Sequence, residues 1–444
     1  PGMSDPSTAL TGQELFWLIS LIAVFGLDLL QFSTRRDPLS IYQPPVFVLA
    51  FMSYYCVLGP IQRAINNDWN HVAHNFRGVI VNGWIGAVVF YLALRIGYGV
   101  FNSFLPMSRF AGQFEEIKAS NFGRNLCWIG LALFTLANGL RVLAYLTPLG
   151  VVGSQFFYMG GFNLGPFNNY ANTAINLLIP GTLLQFAAWL KSRTKMGPWL
   201  IWSYVAFAIF TSLGFRWRII TLFVPMIILY FISRNRRPSL VILSLAAAVL
   251  LAYSGFVEVT RSYGAGLTID QDTSLSLGGM LDIGLNESSV FLVSSGLISN
   301  TPSFQPFVGL QPLISTVLLP IPAAIWADKN TFEYLSNALI MLFGSPVFST
   351  GQAILNYAEY YLMFGWPSVI VAGLLSGWLL RCLWNWFSPR RGETLAQVTY
   401  AATCGLLYVW ISRGYLPQVT FTFAFGSLPL FWYYYRIATK AAEP

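Results

Sequence analysis

The chain of 444 residues is 55% hydrophobic and 16% aromatic, and only 9% of its residues are charged. Soluble domains carry about 25% charged residues, so this composition, with a mean hydropathy of +0.59, excludes an ordinary soluble domain and indicates a multi-spanning membrane protein. The net charge of +8 does not indicate a nucleic-acid partner, because the basic residues lie at the ends of apolar runs.

Apolar runs of about 20 residues can cross the hydrocarbon core of a bilayer as helices. The sequence predicts an all-α polytopic integral membrane protein with eleven such spans, near residues 13–32, 44–62, 78–100, 124–146, 169–190, 197–213, 217–233, 238–256, 365–386, 395–412 and 417–436. A membrane domain of eight spans (1–256) is therefore expected before a long connection (257–364), and a second one of three spans (365–444) after it. Pro320 and Pro322 interrupt an apolar stretch of the connection, which is expected to hold interfacial or re-entrant helices.

The basic residues predict the orientation of these spans. Clusters such as Arg35–Arg36, Arg234–Arg237 and Arg390–Arg391 fall on alternate connections, and 17 of the 25 lysines and arginines lie on that side. Positively charged connections face the cytoplasm, so the N-terminus is predicted outside and the C-terminus inside. The long connection 257–364 then lies outside, and function is expected to be concentrated there.

Eight basic residues remain on the outer side, and seven of them are arginines: Arg63, Arg77, Arg141, Arg216, Arg218, Arg261, Lys329 and Arg413. An arginine at a span end can simply reach the lipid headgroups. A planar guanidinium also binds phosphate through two parallel hydrogen bonds, which lysine cannot do. Because these arginines come from separate connections, they are predicted to converge on the phosphate or diphosphate of a lipid.

Arg216 and Arg218 stand in a very short link between two apolar runs. Residues two apart on a helix point about 200° apart, so one arginine is expected to face a cavity and the other to face headgroups or a carboxylate. Gly214 would instead allow a tight turn that presents both. Arg216 is favoured for the cavity because it precedes the helix, whereas Arg261 could simply pair with Glu258, three residues before it.

Glu359 is the predicted general base. The polar residues Gln352, Asn356 and Glu359 recur at helical spacing within an otherwise apolar segment, as in an amphipathic helix. Such a helix at the membrane interface would display Glu359 over the membrane, where apolar surroundings raise the pKa of a carboxylate and suit it to proton transfer. Glu287 and Asp282 are alternative bases.

Two short patterns could bind a metal ion, and neither is favoured. Asp270 and Asp272 have the spacing of a metal-binding acidic pair, which is common by chance in polar loops. Asp68, His71 and His74 could bind a divalent ion, although interfacial packing explains these histidines better. The four cysteines fall within or at the edge of predicted spans and give no disulfide framework, and the sequence predicts no metal and no cofactor.

Three segments resemble the Wzy-type oligosaccharide repeat-unit (O-antigen) polymerases. The residues that carry the resemblance are Gly214 and Arg216 before a span, then Ile321, Pro322, Trp326 and Lys329, then Glu359 before Phe364 and Gly365. One departure is that some members carry an arginine followed eleven positions later by glycine. Arg216, Arg261 and Arg413 lack that glycine, since Ile227, Asp272 and Ala424 stand there.

The resemblance implies glycosyl transfer between undecaprenyl-diphosphate-linked oligosaccharides at the periplasmic face of a bacterial inner membrane. It also implies a fold like that of the GT-C membrane glycosyltransferases, and a Wzz-type chain-length co-polymerase as a partner. The residues expected to act in catalysis are Glu359, as base, with Arg216 and Arg261 on the departing diphosphate. The residues expected to bind substrate are Arg218, Arg413, Lys329 and Glu287.

Two other functions compete with polymerisation. An O-antigen ligase would use the same arginines, but its proton acceptor is expected to be a histidine of the long connection, which contains none. A lipid-linked oligosaccharide flippase should expose charge in a cavity open to both sides, whereas the predicted spans show only Asp28 near the cytoplasm. Loss of a polymerase leaves single repeat units displayed outside, and loss of a flippase leaves none.

Overall fold

The computed structural model describes residues 10–72, 74–101, 116–146, 160–192, 195–260, 276–285, 289–322, 325–326, 333–349 and 351–442. Within these ranges the chain is helical, mostly α-helical with short 3-10 segments and one π-helical turn (Tyr54–Leu58), apart from connections and one hairpin, in which β1 (Asn70–His71) pairs antiparallel with β2 (His74–Asn75). The predictions for Arg261, Asp270, Asp272, Glu287 and Lys329 lie outside the described residues.

The long apolar runs of the sequence form the longest helices, and shorter helices occupy the segments between them. The helices are α1 (Gly12–Ser33), α2 (Pro44–Ser53), α3 (Gly59–Ile65), α4 (Ile80–Val100), α5 (Glu116–Asn138), α6 (Arg141–Tyr145), α7 (Asn168–Thr173), α8 (Leu178–Ser192), α9 (Gly197–Ser212), α10 (Arg216–Ser233), α11 (Leu240–Thr260), α12 (Leu277–Leu285), α13 (Ser289–Asn300), α14 (Gln311–Leu318), α15 (Tyr334–Phe343), α16 (Pro346–Ser349), α17 (Asn356–Phe364), α18 (Trp366–Phe387), α19 (Thr394–Ser412), α20 (Leu416–Gly426) and α21 (Leu428–Ala442).

Among the described residues, eight helical segments are long and apolar enough to cross a membrane: Gly12–Ser33, Pro44–Ile65, Arg77–Val100, Gly165–Lys191, Arg216–Ser233, Val241–Thr260, Trp366–Arg390 and Thr394–Ser412. Each coincides with a predicted span, so the prediction of an all-α polytopic membrane protein is confirmed. The other three predicted spans are also helical. However, α5 begins with charged residues, α9 has only 16 residues, and the 417–436 run is divided between α20 and α21. The count of eleven stays a prediction.

Part of the long connection packs inside the helical body. Helix α13 is buried along nearly its whole length, and its Phe291 and Ser295 occupy the space beside Gly83 of α4. The hydroxyl of Ser294 accepts a hydrogen bond from the backbone N–H of Leu355, at 2.8 Å. The connection therefore positions the segment that carries Glu359 against the spans.

Helix α17 differs from its predicted setting. All its residues from Asn356 to Met363 are buried, so it is not an amphipathic helix at the membrane interface. The reason is that its polar face also has protein neighbours, since Glu359 is bonded to Tyr334 and Leu416. The amphipathic pattern arises because the two faces of α17 pack against different parts of the protein, and not because one face meets water.

Helices α4 and α18 approach each other closely through glycines. A Cβ atom added to Gly97 of α4 would collide with the backbone carbonyl of Leu374, and one added to Gly377 of α18 would collide with that of Leu94. Small residues let membrane helices pack backbone to backbone. This pair supports α17, which leads directly into α18.

We expect Gly97→Ala to destabilise the protein by about 1–3 kcal/mol, because the added methyl group must push α4 and α18 apart. Gly99→Ala is the matched control on the same helix, since nothing lies within 4 Å of a Cβ at Gly99; alanine is the better helix former there. The measurement is the thermal unfolding of both purified variants in detergent. Equal melting temperatures would contradict the close contact.

Candidate functional site

A cavity of about 720 Å³ lies where the N-terminal ends of α7, α10 and α20 meet. All three ends belong to the side that the charge distribution predicts to be outside. The polar groups of its wall are amides, hydroxyls and one guanidinium, and its apolar groups include aromatic rings. The wall comprises Asn168, Asn169, Tyr170, Thr173, Asn176, Trp217, Arg218, Tyr415, Gln418, Phe421 and Thr422, with Gly165, Pro166 and Leu319.

Arg218 is the single cation among the described residues of this wall. Its guanidinium carbon lies 4.7 Å from the ring centroid of Phe215 and 5.0 Å from that of Trp217. Its Nε is buried and has no hydrogen-bond partner within the described parts of the chain. A buried donor without a partner costs free energy, while the aromatic contacts stabilise the guanidinium without neutralising its charge.

Asn176 contributes a complementary group to the same cavity. Its side chain is 1% exposed, and its Oδ1 accepts no hydrogen bond from any described residue. Arg218 and Asn176 both belong to the residues of the wall, but these two unpaired atoms are themselves buried beneath its surface.

Arg216 takes the other of the two predicted orientations. Its guanidinium forms an ion pair of 3.1 Å with Glu258 of α11 and lies 3.4 Å from the hydroxyl of Ser254. The sequence analysis favoured Arg216 for the cavity, but Arg218 lines it. The physical reason is the position of the turn: Gly214 adopts a left-handed backbone, with φ +71°, and α10 begins at Arg216, so residues 216 and 218 diverge as on a helix.

Glu359 is enclosed rather than displayed over the membrane. Its carboxylate is 1% exposed and accepts hydrogen bonds from the Tyr334 hydroxyl and from the backbone N–H of Leu416, at 2.8 and 3.1 Å. Burial raises the pKa of Glu359 to about 7, while the bonds from Tyr334 and Leu416 act in the opposite direction. The expectation of a raised pKa is met, by protein packing instead of lipid.

The carboxylate of Glu359 lies behind the wall of the cavity. Tyr415, which lines the cavity, immediately precedes Leu416, and its ring centroid is 5.9 Å from that of Tyr334. The backbone N–H of Gly414 donates to the carbonyl of Ile354 at 2.7 Å. The turn 413–415 thus separates Glu359 from the cavity.

The remaining predicted residues divide into three groups. Arg413 is partly buried in the turn beside Glu359 but is not part of the described cavity wall. Asp282, an alternative base, accepts a hydrogen bond from Gln62. Arg261, Lys329 and Glu287 lie outside the described residues.

The two histidines sit in a packed hairpin. Nε2 of His71 lies 2.9 Å from Oε1 of Gln352, Nδ1 of His74 lies 2.9 Å from the carbonyl of Val72, and both rings pack against Phe343. Burial lowers the pKa of His71. No cluster of three metal-ligating side chains occurs in the described parts of the chain, and the geometry agrees with the packing interpretation of these histidines.

Sequence reasoning missed Tyr334, Tyr415 and the amide wall of the cavity. Nothing in the sequence connects Tyr334 with Glu359, 25 residues away. A signal for the amides was present, however. Five asparagines fall between residues 163 and 176, at the start of a predicted span. Burying an amide there costs free energy unless it has a hydrogen-bond partner.

Comparison with protein-family models, with curated proteins and with solved structures gave no match to this chain.

We expect Tyr334→Phe to raise the pKa of Glu359 above its value of about 7, because the lost hydrogen bond favoured the ionised carboxylate. The measurement is an infrared titration of the protonated carboxyl band that disappears in Glu359→Gln. Tyr361→Phe is the control, on the helix that carries Glu359, since the Tyr361 hydroxyl faces the carbonyl of Thr301, at 3.4 Å. A midpoint that falls or stays constant in Tyr334→Phe would contradict the assignment.

Proposed function

We propose that the chain is a membrane glycosyltransferase that joins polyprenyl-diphosphate-linked oligosaccharide units. The observation that carries this proposal is the composition of one cavity wall, which combines the guanidinium of Arg218 with amides, hydroxyls and aromatic rings. A sugar joined to a diphosphate offers an anion for the guanidinium and hydroxyl groups for the amides. In this proposal the cavity faces the periplasm of a bacterial inner membrane, and the architecture is that of the GT-C class.

The cavity wall suits a sugar as well as a phosphate. The amides of Asn168, Asn169 and Gln418 can exchange hydrogen bonds with hydroxyl groups, and they stand among the rings of Tyr170 and Tyr415. A volume of about 720 Å³ lies within the range of small-molecule sites, roughly 300–1,000 Å³. These features support a carbohydrate substrate over a simple inorganic anion.

The proposed reaction needs one leaving group and one proton acceptor. The hydroxyl oxygen of the acceptor sugar bonds to the anomeric carbon of the donor, and the bond from that carbon to the diphosphate oxygen breaks. The departing diphosphate takes the electron pair, and Arg218 stabilises its negative charge. The proton of the acceptor hydroxyl passes to Glu359, either through Tyr334 or after the turn 413–415 moves.

Glu359 has the acidity that this role requires. A general base works best when its pKa lies near the operating pH, and burial holds the pKa of Glu359 at about 7. At neutral pH a substantial fraction of the protein then carries an ionised carboxylate that can still bind a proton. Polymerisation of repeat units, with a Wzz-type protein controlling chain length, is the form of this activity that we propose.

Arg218 and Arg216 are expected to differ in their effect on polymer formation. Arg218→Gln should reduce polymer formation about a hundredfold to a thousandfold, as for other donors to transition-state charge, while single repeat units are still displayed. Arg218→Lys should restore activity only in part, since it keeps the charge without the planar fork. The measurement is gel analysis of surface polysaccharide in a deletion strain that carries each variant.

Arg216 provides the matched comparison. If its main task is to neutralise Glu258, the double variant Arg216→Gln/Glu258→Gln should keep most of the polymer, because no unpaired carboxylate remains. Loss of polymer in this folded double variant, with normal polymer in Arg218→Gln, would return the diphosphate to Arg216. Loss of all external repeat units in Arg218→Gln would instead favour a flippase.

The second prediction concerns pH. The rate of sugar transfer by purified protein in proteoliposomes should rise between about pH 6 and pH 8, as Glu359 loses its proton around its pKa of about 7. Glu359→Gln should be folded but slower by about 10²–10⁴-fold and should lack this pH-dependent rise. Glu333→Gln, at an exposed carboxylate next to Tyr334, is the control. A near-normal rate in Glu359→Gln would remove Glu359 from the reaction.

A further inference from the structure

A second cavity, of about 430 Å³, lies at the opposite end of α8 and α10, on the side predicted to face the cytoplasm. Three cations from three separate elements line it: Lys191 at the end of α8, Arg234 just after α10, and Arg391 in the connection before α19. Among the described residues of the wall there is no carboxylate. The cavity is thus positively charged as well as concave.

Part of the cavity wall, here called the floor, is apolar. It consists of Leu39, Leu190, Leu229 and Ile232, and the last two precede Arg234 along α10. Inorganic phosphate would gain nothing from that surface, whereas the first carbons of a lipid could cover it. Cations and apolar side chains in one cavity match a molecule with an anionic head and a hydrocarbon tail.

The connection that carries Arg391 is fixed in place, and the two neighbouring arginines differ in their tasks. Arg390 is buried and donates to the carbonyl of Trp386 at 2.6 Å and to the hydroxyl of Tyr434 at 3.1 Å. Arg391 instead faces the cavity, and its backbone carbonyl accepts a bond of 2.7 Å from Gln397. The cation is therefore presented by a rigid backbone.

Only partial neutralisation comes from the surroundings. The guanidinium of Arg391 lies 3.3 Å from the carboxylate of Asp37, and both groups are largely exposed, so this pair is weak. Arg234 stacks on the ring of Tyr230 at 4.2 Å, which orients the guanidinium without cancelling its charge. Among the described residues, the pair with Asp37 neutralises only one of the three cations in the wall, so positive charge is left for a ligand.

We propose that this cavity binds the phosphate headgroup of an anionic membrane lipid. The headgroup contacts Lys191, Arg234 and Arg391, and the lipid tail begins on the apolar floor. Anionic lipids attract basic residues at the cytoplasmic surface with about a fivefold gain in affinity per residue. This site is independent of the glycosyl transfer proposed for the opposite end of the helices.

The test is the thermal stability of the purified full-length protein in detergent micelles, titrated with phosphatidylglycerol, phosphatidylcholine or inorganic phosphate. We expect phosphatidylglycerol alone to raise the melting temperature. The triple variant Lys191→Gln/Arg234→Gln/Arg391→Gln should need about a hundredfold more of this lipid, following the same gain per charge. The single variant Arg234→Gln, with a shift of about fivefold, covers the case in which the triple variant does not fold.

The control is the triple variant Arg36→Gln/Lys195→Gln/Arg236→Gln. It removes the same charge from exposed residues on the same predicted side, none of which lines the cavity. An unchanged response in this control, with a lost response in the cavity variants, supports the site. Equal losses in both triple variants, or equal effects of phosphatidylcholine, would overturn it. An equal effect of inorganic phosphate would overturn the lipid as the source of the phosphate group.

Discussion

The buried carboxylate of Glu359 sets the arrangement of the cavity that Arg218 and Tyr415 line. A carboxylate that is 1% exposed needs hydrogen-bond donors, and one of its donors is the backbone N–H of Leu416, the first residue of α20. The first N–H groups of a helix have no partner within the helix, so each group satisfies the other. This bond fixes where α20 begins, and with it the position of Tyr415 in the cavity wall.

Arg216 and Arg218 are two residues apart but differ in their contacts, because only Arg216 has a carboxylate partner among the described residues. Glu258 neutralises Arg216, so that charge contributes to holding α10 against α11. Arg218 is surrounded by the rings of Phe210, Phe215 and Trp217, which stabilise a cation without neutralising it. A net positive charge near the N-terminal end of α10 is thereby placed in the wall of the cavity.

The apolar runs predicted the helices because a segment that crosses lipid must form its backbone hydrogen bonds within itself, and a helix does so. The residue pattern also predicts that Arg216 and Arg218 point in different directions. Which of the two lines the cavity depends on where α10 begins and on Glu258, more than 40 residues away. The prediction of a membrane-interface setting for Glu359 was wrong for a related reason. An amphipathic pattern distinguishes two faces, and it cannot say whether the polar face meets water or Tyr334 from a distant helix.

The two cavities lie at opposite ends of the same helices, which raises the question of passage between them. Helix α10 extends from Arg218, in the wall of the cavity of about 720 Å³, to Ser233, in the wall of the cavity of about 430 Å³. Between them, Thr221, Leu222 and Met226 are buried, and Pro225 packs so closely on Gly405 of α19 that a Cβ there would collide with its ring. A direct route along α10 would require α10 and α19 to separate at this contact. The packing therefore keeps the two cavities apart along α10, in agreement with two separate sites.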